Sequence, residues 1–350
     1  MHFIWPLVTL FLPQDSLVTA VIPLEPQGNG LCGKAFPDLQ AEGLKVDEKW
    51  NLSPGDATWE FEGTQEKSEY GSTPGFNPNA GNESNITTPF HFDIRSYGTD
   101  IGPVSIEGSP FDQFRVTATI GYPWATIGRI FFRRFRGDKG GWCTGTLVGR
   151  NLLLTASHCF PWNYGARRWM RFVPGFGHGE KQAEPFGSSY VSQCRGVKNT
   201  LNVTGLDYVI CKLCEPLGER VGWMGTAWWK DTQAYVKRPW LSSGYPTEPF
   251  KGMTQMLVTN LTLDGVDPHG EIGVELESKV FASAGWSGGP MWEYIDGHPT
   301  IVGICSGGER SCSEQPGGCF MANLSDPYHD VSAGGKLMTE LVRYGQRHWP

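Results

Sequence analysis

A chain of 350 residues makes about two units of ~150 residues or one large β domain. With 39% hydrophobic and 19% charged residues it holds enough apolar material for a core, which excludes wholesale disorder. A formal charge of −7 excludes a generally basic nucleic-acid binder, and after the first twenty residues no apolar run reaches the ~18 that a membrane-spanning helix needs.

The chain opens with an apolar run, Phe3 to Leu12, and modest residues at Val18-Thr19-Ala20. Residues 1–20 therefore read as a signal peptide, although the usual positive start is missing. The alternative is a buried N-terminal strand. Six N-x-S/T sequons, at Asn51, Asn82, Asn85, Asn202, Asn260 and Asn323, fit a secreted, extracellular glycoprotein. Nine cysteines fit the same oxidising route, and the odd number leaves one thiol free or paired outside the chain.

Residues 21–103 hold 13 acids and 5 bases, net −8, whereas 104–350 are close to neutral at net +2. The first stretch is rich in Gly, Pro, Asn, Ser and Thr, as in Gly75 to Asn82, and reads as a largely irregular acidic propeptide. Such a leader docks on its own mildly basic body by charge; the alternative is a glycosylated linker. The mature chain is expected to begin near Val104.

From residue 104 onward the pattern is all-β. Gly 46 and Pro 25 supply many turns, and 13% aromatic residues favour strands. Short apolar or alternating runs occur at 124–132, 144–155, 206–213, 253–263 and 301–306, separated by turn residues. One helix is expected, at Gly335–Arg347, where Leu337, Leu341, Val342 and Tyr344 recur at helical spacing. The basic-aromatic cluster Phe131 to Arg136 reads as a strand end and turn.

Two motifs carry chemistry. In Thr155-Ala156-Ser157-His158-Cys159 a histidine follows the apolar run Leu152-Leu153-Leu154, and a His at a strand end presents its imidazole to a cleft. Cys143 stands sixteen residues before Cys159; a bridge between them ties adjacent strands behind His158. In Gly285-Trp286-Ser287-Gly288-Gly289-Pro290 glycines allow a tight backbone in which N–H groups converge around an exposed hydroxyl. The α/β-hydrolases place their His last in the chain; here it precedes the Ser. The pair needs a carboxylate to orient the imidazole. Asp207, Asp231 and Asp264 are candidates. Asp207 is preferred because it opens the alternating run Asp207 to Leu213 and is therefore buried, whereas the other two sit in turn-like contexts.

With these residues in place the chain resembles the chymotrypsin-like serine proteases, and more narrowly their secreted glutamyl-endopeptidase branch of bacterial and fungal type. The resemblance spans about residues 143–308 and also rests on Pro216 to Trp223, Ser243-Gly244-Tyr245-Pro246 and Val302 to Gly308. It implies two six-stranded antiparallel β-barrels with the site between them, a C-terminal helix and no cofactor or metal. It further implies a secreted serine endopeptidase acting on protein or peptide substrates, with His158 as base, Asp207 as orienter and Ser287 as nucleophile. The N–H groups of Gly285 and Ser287 form the oxyanion hole. A second function class is a non-catalytic binding protein on the same scaffold.

The chain departs from the family at two places. Trp286 stands where trypsin-type zymogens carry an Asp, so that activation salt bridge cannot form. Cys305 stands where enzymes accepting Glu often carry a His. A specificity pocket of Ala282, Ser283, Cys305, Ser306, Gly307 and Gly308 has small walls and no formal charge, so uncharged P1 residues are expected. The alternative is that His298 or the mature N-terminal amine enters the pocket. Of the other cysteines, Cys194 is placed to bridge to Cys211 or Cys214.

Overall fold

The computed structural model describes residues 45–46, 68–80, 104–105, 109–135, 137–162, 168–177, 183–198, 205–310 and 328–349. The expected signal segment, most of 21–103, five of the sequons and Cys32, Cys312 and Cys319 lie outside them. Four short strands precede the main body: β1 (Lys45–Val46), β2 (Tyr70–Thr73), β3 (Val104–Ser105) and β4 (Asp112–Arg115).

The first barrel is built from β5 (Ile127–Arg133), β6 (Gly141–Gly149), β7 (Leu152–Thr155), β8 (Trp169–Pro174), β9 (Ser189–Gly196) and β10 (Val209–Leu213). They run in the order β9-β10-β7-β6-β5-β8, and β8 pairs back to β9, which closes six strands into a barrel. Ile127, Ile130, Leu147, Leu153, Phe172, Val191 and Ile210 are buried in its core. At Gly128 an added Cβ would lie 2.6 Å from the Phe172 ring, so only glycine lets β5 pass that close. All four residues of β7 are buried because both its faces are covered. The outer cover is the C-terminal helix α3 (Lys336–His348), whose Gly345 packs on Leu152 and Ile210.

The second sheet comprises β11 (Gly225–Trp229), β12 (Trp240–Gly244), β13 (Met256–Leu261), β14 (Leu263–His269), β15 (Gly273–Lys279), β16 (Pro290–Ile295), β17 (His298–Arg310) and β18 (Tyr328–Gly334), together with β2, β3 and β4. Its main path is β14-β15-β18-β17-β16-β12-β13-β4-β3. The all-β class and the C-terminal helix are as expected, but this half is a curled sheet with no closing ladder among the described residues. Its two sides meet through the chain itself: β13 runs into β14 across Thr262, and Asn260 takes φ 55° at the corner. One strand thus changes partner from β12 to β15. Two short helices, α1 (Gly218–Val221) and α2 (Gln233–Val236), lie between strands.

Part of the expected propeptide is built into this sheet. Strand β2 pairs antiparallel with β11, from Thr73 opposite Thr226 to Tyr70 opposite Trp229. Thr73 Oγ1 lies 2.9 Å from Thr226 Oγ1 in the interior. Phe76 and Trp223 exchange backbone hydrogen bonds of 2.8 and 3.0 Å, with ring centroids 4.5 Å apart. Arg343 of α3 donates to the Ser72 carbonyl at 2.9 Å. Among the described residues this stretch is held by a hydrogen-bond ladder and packed rings.

Candidate active site

The apolar strand β7 ends at Thr155, and a 3-10 turn over Ser157–Cys159 lifts His158 out of the barrel wall. The Cys143–Cys159 disulfide ties that turn to β6. A second bridge, Cys194–Cys211, joins directly opposed residues of β9 and β10, just beyond the carboxylate. Cys214 is half of a further disulfide.

Asp207 sits two residues before β10 and is fully buried. Its Oδ2 lies 2.6 Å from His158 Nδ1, and its Oδ1 accepts the His158 backbone N–H at 2.9 Å. The Ser157 N–H also donates to the Asp207 carbonyl, at 3.3 Å. One residue thus fixes both the backbone and the ring of the histidine. Burial lowers the imidazole pKa, but the charge and hydrogen bond of Asp207 outweigh it, and the net shift is upward. Asp231 instead lies just before α2 and accepts from the Gln233 N–H at 3.0 Å. Asp264 is exposed on β14, a strand that the turn-like string Leu-Asp-Gly-Val-Asp did not announce.

Ser287 comes from the other half of the molecule, in the tight segment before β16. Gly285 takes φ 94° and Gly288 φ 80°, a region that disfavours side chains. A Cβ on Gly285 would collide with the Tyr245 carbonyl and the Trp142 indole, and one on Gly288 with Thr155 Oγ1 and the Thr144 carbonyl. Thr144 of β6 stitches the halves together. Its N–H donates to the Ser287 carbonyl at 2.8 Å, and its hydroxyl donates to the Gly285 carbonyl at 2.8 Å. The backbone N–H groups of Trp286, Gly288 and Gly289 are spent on Ser283, Cys305 and Trp286 carbonyls. Those of Gly285 and Ser287 have no acceptor among the described residues, so two donors stand unspent beside the Ser287 hydroxyl. No hydrogen bond joins Ser287 to the imidazole; His158 Nε2 lies 3.8 Å from Cys159 Sγ. Such links are often long in free enzymes and tighten with substrate.

Trp286 is fully buried. Its indole donates to Ser242 Oγ at 3.0 Å and packs edge-on to Phe281, with ring centroids 5.8 Å apart.

The expected pocket residues divide. Ala282, Ser283, Gly307 and Gly308 are half-buried. Ser306 is buried, and its hydroxyl donates to Asp207 Oδ2 at 2.6 Å, so that side chain serves the carboxylate. Cys305 is buried and carries a free thiol; burial, with Asp330 and Asp207 adding to it, pushes its pKa well up, and the thiol stays neutral. His298 is exposed at the far end of β17, ~23 Å along the strand from Cys305 at ~3.3 Å per residue.

A buried carboxylate lies beside the strand that carries the expected pocket residues Cys305–Gly308. Asp330 on β18, opposite Gly308, is 3% exposed, and its Oδ2 accepts the N–H groups of Phe281 at 2.6 Å and Ala282 at 2.7 Å. Burial raises its pKa while these donors and His329 pull it back, leaving it at about 6. No local motif marks this residue; only its place opposite Gly308 brings it to the pocket strand.

The family model described as Trypsin matches residues 123–327. A glutamyl endopeptidase of Bacillus licheniformis is 28% identical over 212 residues. That alignment covers 58% of this chain and 59% of the relative, so the chain spans less than two thirds of that relative's length. Among solved structures, a Glu endopeptidase in complex with MPD is 18% identical, with 67% of this chain and 97% of the other covered and a TM-score of 0.49. The protease Anisep from Arthrobacter nicotinovorans is 19% identical over 62% and 92% of the two chains, with a TM-score of 0.44.

Proposed function

Because the chain belongs to the trypsin family, we propose that it is a secreted serine endopeptidase working through Ser287, His158 and Asp207. The observation that carries this reading is the 2.6 Å contact of His158 Nδ1 with the buried Asp207, set against a Ser287 flanked by two unspent N–H donors.

Asp207 holds the proton of His158 on Nδ1 and leaves Nε2 as the basic nitrogen. His158 Nε2 takes the proton of Ser287 Oγ as that oxygen attacks the scissile carbonyl carbon. The carbonyl oxygen, now negative, accepts from the N–H groups of Gly285 and Ser287. The imidazolium, stabilised by Asp207, gives its proton to the leaving amine, and the C–N bond breaks to leave an acyl-enzyme on Ser287. Water then loses a proton to His158, attacks the ester and releases the acid, restoring the Ser287 hydroxyl. No cofactor or metal enters these steps. The sulfurs nearest His158, Cys143 and Cys159, are bonded to each other and are not ligands.

Secretion and cleavage of the chain near Val104 belong to the same reading, supported by the disulfides and by the charge break in the sequence. A fluorophosphonate probe tests the catalytic claim. It is expected to label Ser287 in the secreted protein and to leave Ser287→Ala unlabelled. A folded protein that takes no label at Ser287 would instead fit a binding protein on a protease scaffold.

A further inference from the structure

We propose that Asp330 is the specificity-determining residue of this site and makes its primary pocket a receptor for the cationic side chain of Lys or Arg at P1. The inference rests on the endopeptidase reading above and deepens it.

The register of β15, β18 and β17 assembles the pocket floor. Residues directly opposite in antiparallel strands share a face, as do residues two apart in one strand. Asp330 is opposite Gly308 on one side and Ser278 on the other; Ser332 is opposite Cys305. Asp330, Ser332, Ser278 and Cys305 thus share one face. Gly308 has no side chain to cover the carboxylate from the wall that also carries Gly307. The Asp330 bonds to Phe281 and Ala282 place it under the segment that leads to Ser287.

Around Asp330 this floor is polar and incompletely satisfied, while Leu276, opposite Ser332, and Cys305 give it an apolar side. Both N–H groups reach Oδ2, and Oδ1 takes no hydrogen bond from a described residue. The hydroxyls of Ser278, Ser283 and Ser332 are buried without partners among the described residues. A purely structural cap for Phe281 and Ala282 needs one neutral acceptor, which Asn supplies without burying a charge. A carboxylate with one oxygen unbonded to any described residue, among hydroxyls equally unpartnered there, matches a group with several donors and a positive charge: an ammonium or, with five donors, a guanidinium. With a pKa of about 6 Asp330 is ionised at neutral pH. A Glu side chain entering the same pocket meets a like charge, and the neutral thiol of Cys305 gives it no partner.

The test is a set of peptides differing only at P1, with Lys, Arg, Leu, Ala and Glu, cleaved by the mature protein near pH 7.5. Lys or Arg is expected to exceed the others in kcat/KM by ~30-fold or more, the lower end for a desolvated charge pair. In Asp330→Asn, whose side-chain oxygen still accepts the two N–H bonds, that advantage collapses to within a few fold. A preference for Glu, Leu or Ala in the unaltered protein overturns the proposal and leaves the triad reading standing. Binding of p-aminobenzamidine, read by fluorescence in Ser287→Ala, gives an answer that needs no turnover. Saturable binding lost in Ser287→Ala/Asp330→Asn supports the cation pocket, and no binding overturns it. If no peptide is cut and no fluorophosphonate label appears, the endopeptidase reading fails, while the amidine measurement still decides the role of Asp330.

Discussion

Ser306 Oγ lies 2.6 Å from Asp207 Oδ2, the same oxygen that faces His158 Nδ1 at 2.6 Å. A hydroxyl from the second sheet therefore holds a carboxylate of the first barrel, which in turn holds the histidine. Asp207→Asn is expected to lower kcat by ~10⁴-fold through the wrong imidazole tautomer. Ser306→Ala, which removes one donor and leaves the pair in place, should cost ~10-fold, in line with a hydrogen bond to a charged group of about 1.5–3 kcal/mol. Steady-state kinetics on the two variants give the comparison, and equal losses would contradict this ordering.

The pH dependence follows from His158. The ring acts as a base only when neutral, and its pKa is raised above the ordinary 6.5. Activity should fall as pH drops through that raised value, so the acid limb of kcat/KM has a midpoint above 6.5. In Asp207→Asn the raising charge is gone while burial remains, and the residual activity should persist to lower pH. For stability the sign runs the other way. A raised histidine pKa favours the folded state at pH below the unfolded value, and that contribution disappears as pH rises through the folded one. A pH–rate profile with its midpoint below 6.5 would refute the shift.

Joint replacement of Cys143 and Cys159 by Ser opens a loop defined by a separation of 16 residues. The chain-entropy model assigns such a loop on the order of 3 kcal/mol. The loss should appear in denaturant unfolding, and kcat should fall as well because the disulfide backs the turn that carries His158.

The leader prediction changes once β2 is seen. A chain beginning at Val104 lacks the partner of Trp228 and Trp229 on β11 and leaves the buried Thr226 hydroxyl without Thr73. Expressed alone it should be markedly less stable or fail to fold. A protein cleaved between residues 81 and 103 should retain 68–80 by its ladder. N-terminal sequencing of the active form, with native mass measurement, should find two N-termini in one particle. An active, stable particle with residue 104 as its sole N-terminus would show the strand to be dispensable.

These contrasts show what the sequence could and could not carry. The candidate residues His158, Asp207 and Ser287 stand out in the sequence because each sits in a short string whose local chemistry is distinctive: a strand end, an alternating strand and a glycine-flanked turn. Asp330, β2 and β14 do not. Tyr70-Gly-Ser-Thr73 has no apolar alternation, and β14 carries Gly265, Asp267 and Pro268, all poor strand formers; both are strands because a neighbour offers a ladder. The contact of Ser306 with Asp207 depends on the meeting of two halves of the fold, and the place of Asp330 beside Gly308 on the pairing of β17 with β18. Neither contact leaves a periodic trace.

The C-terminal helix lies against β10, β7 and β6 of the barrel and against β11, β2 and β15 of the second sheet. Gln346 donates to the Val148 carbonyl at 2.7 Å, and Arg195 stacks 3.7 Å from the Tyr344 ring centroid. With the Thr144 links to Gly285 and Ser287, neither half has a boundary along which it can melt by itself. Heating should therefore give one calorimetric transition, with calorimetric and van't Hoff enthalpies in agreement, and the cleft should vanish at the same temperature as the barrel and the curled sheet.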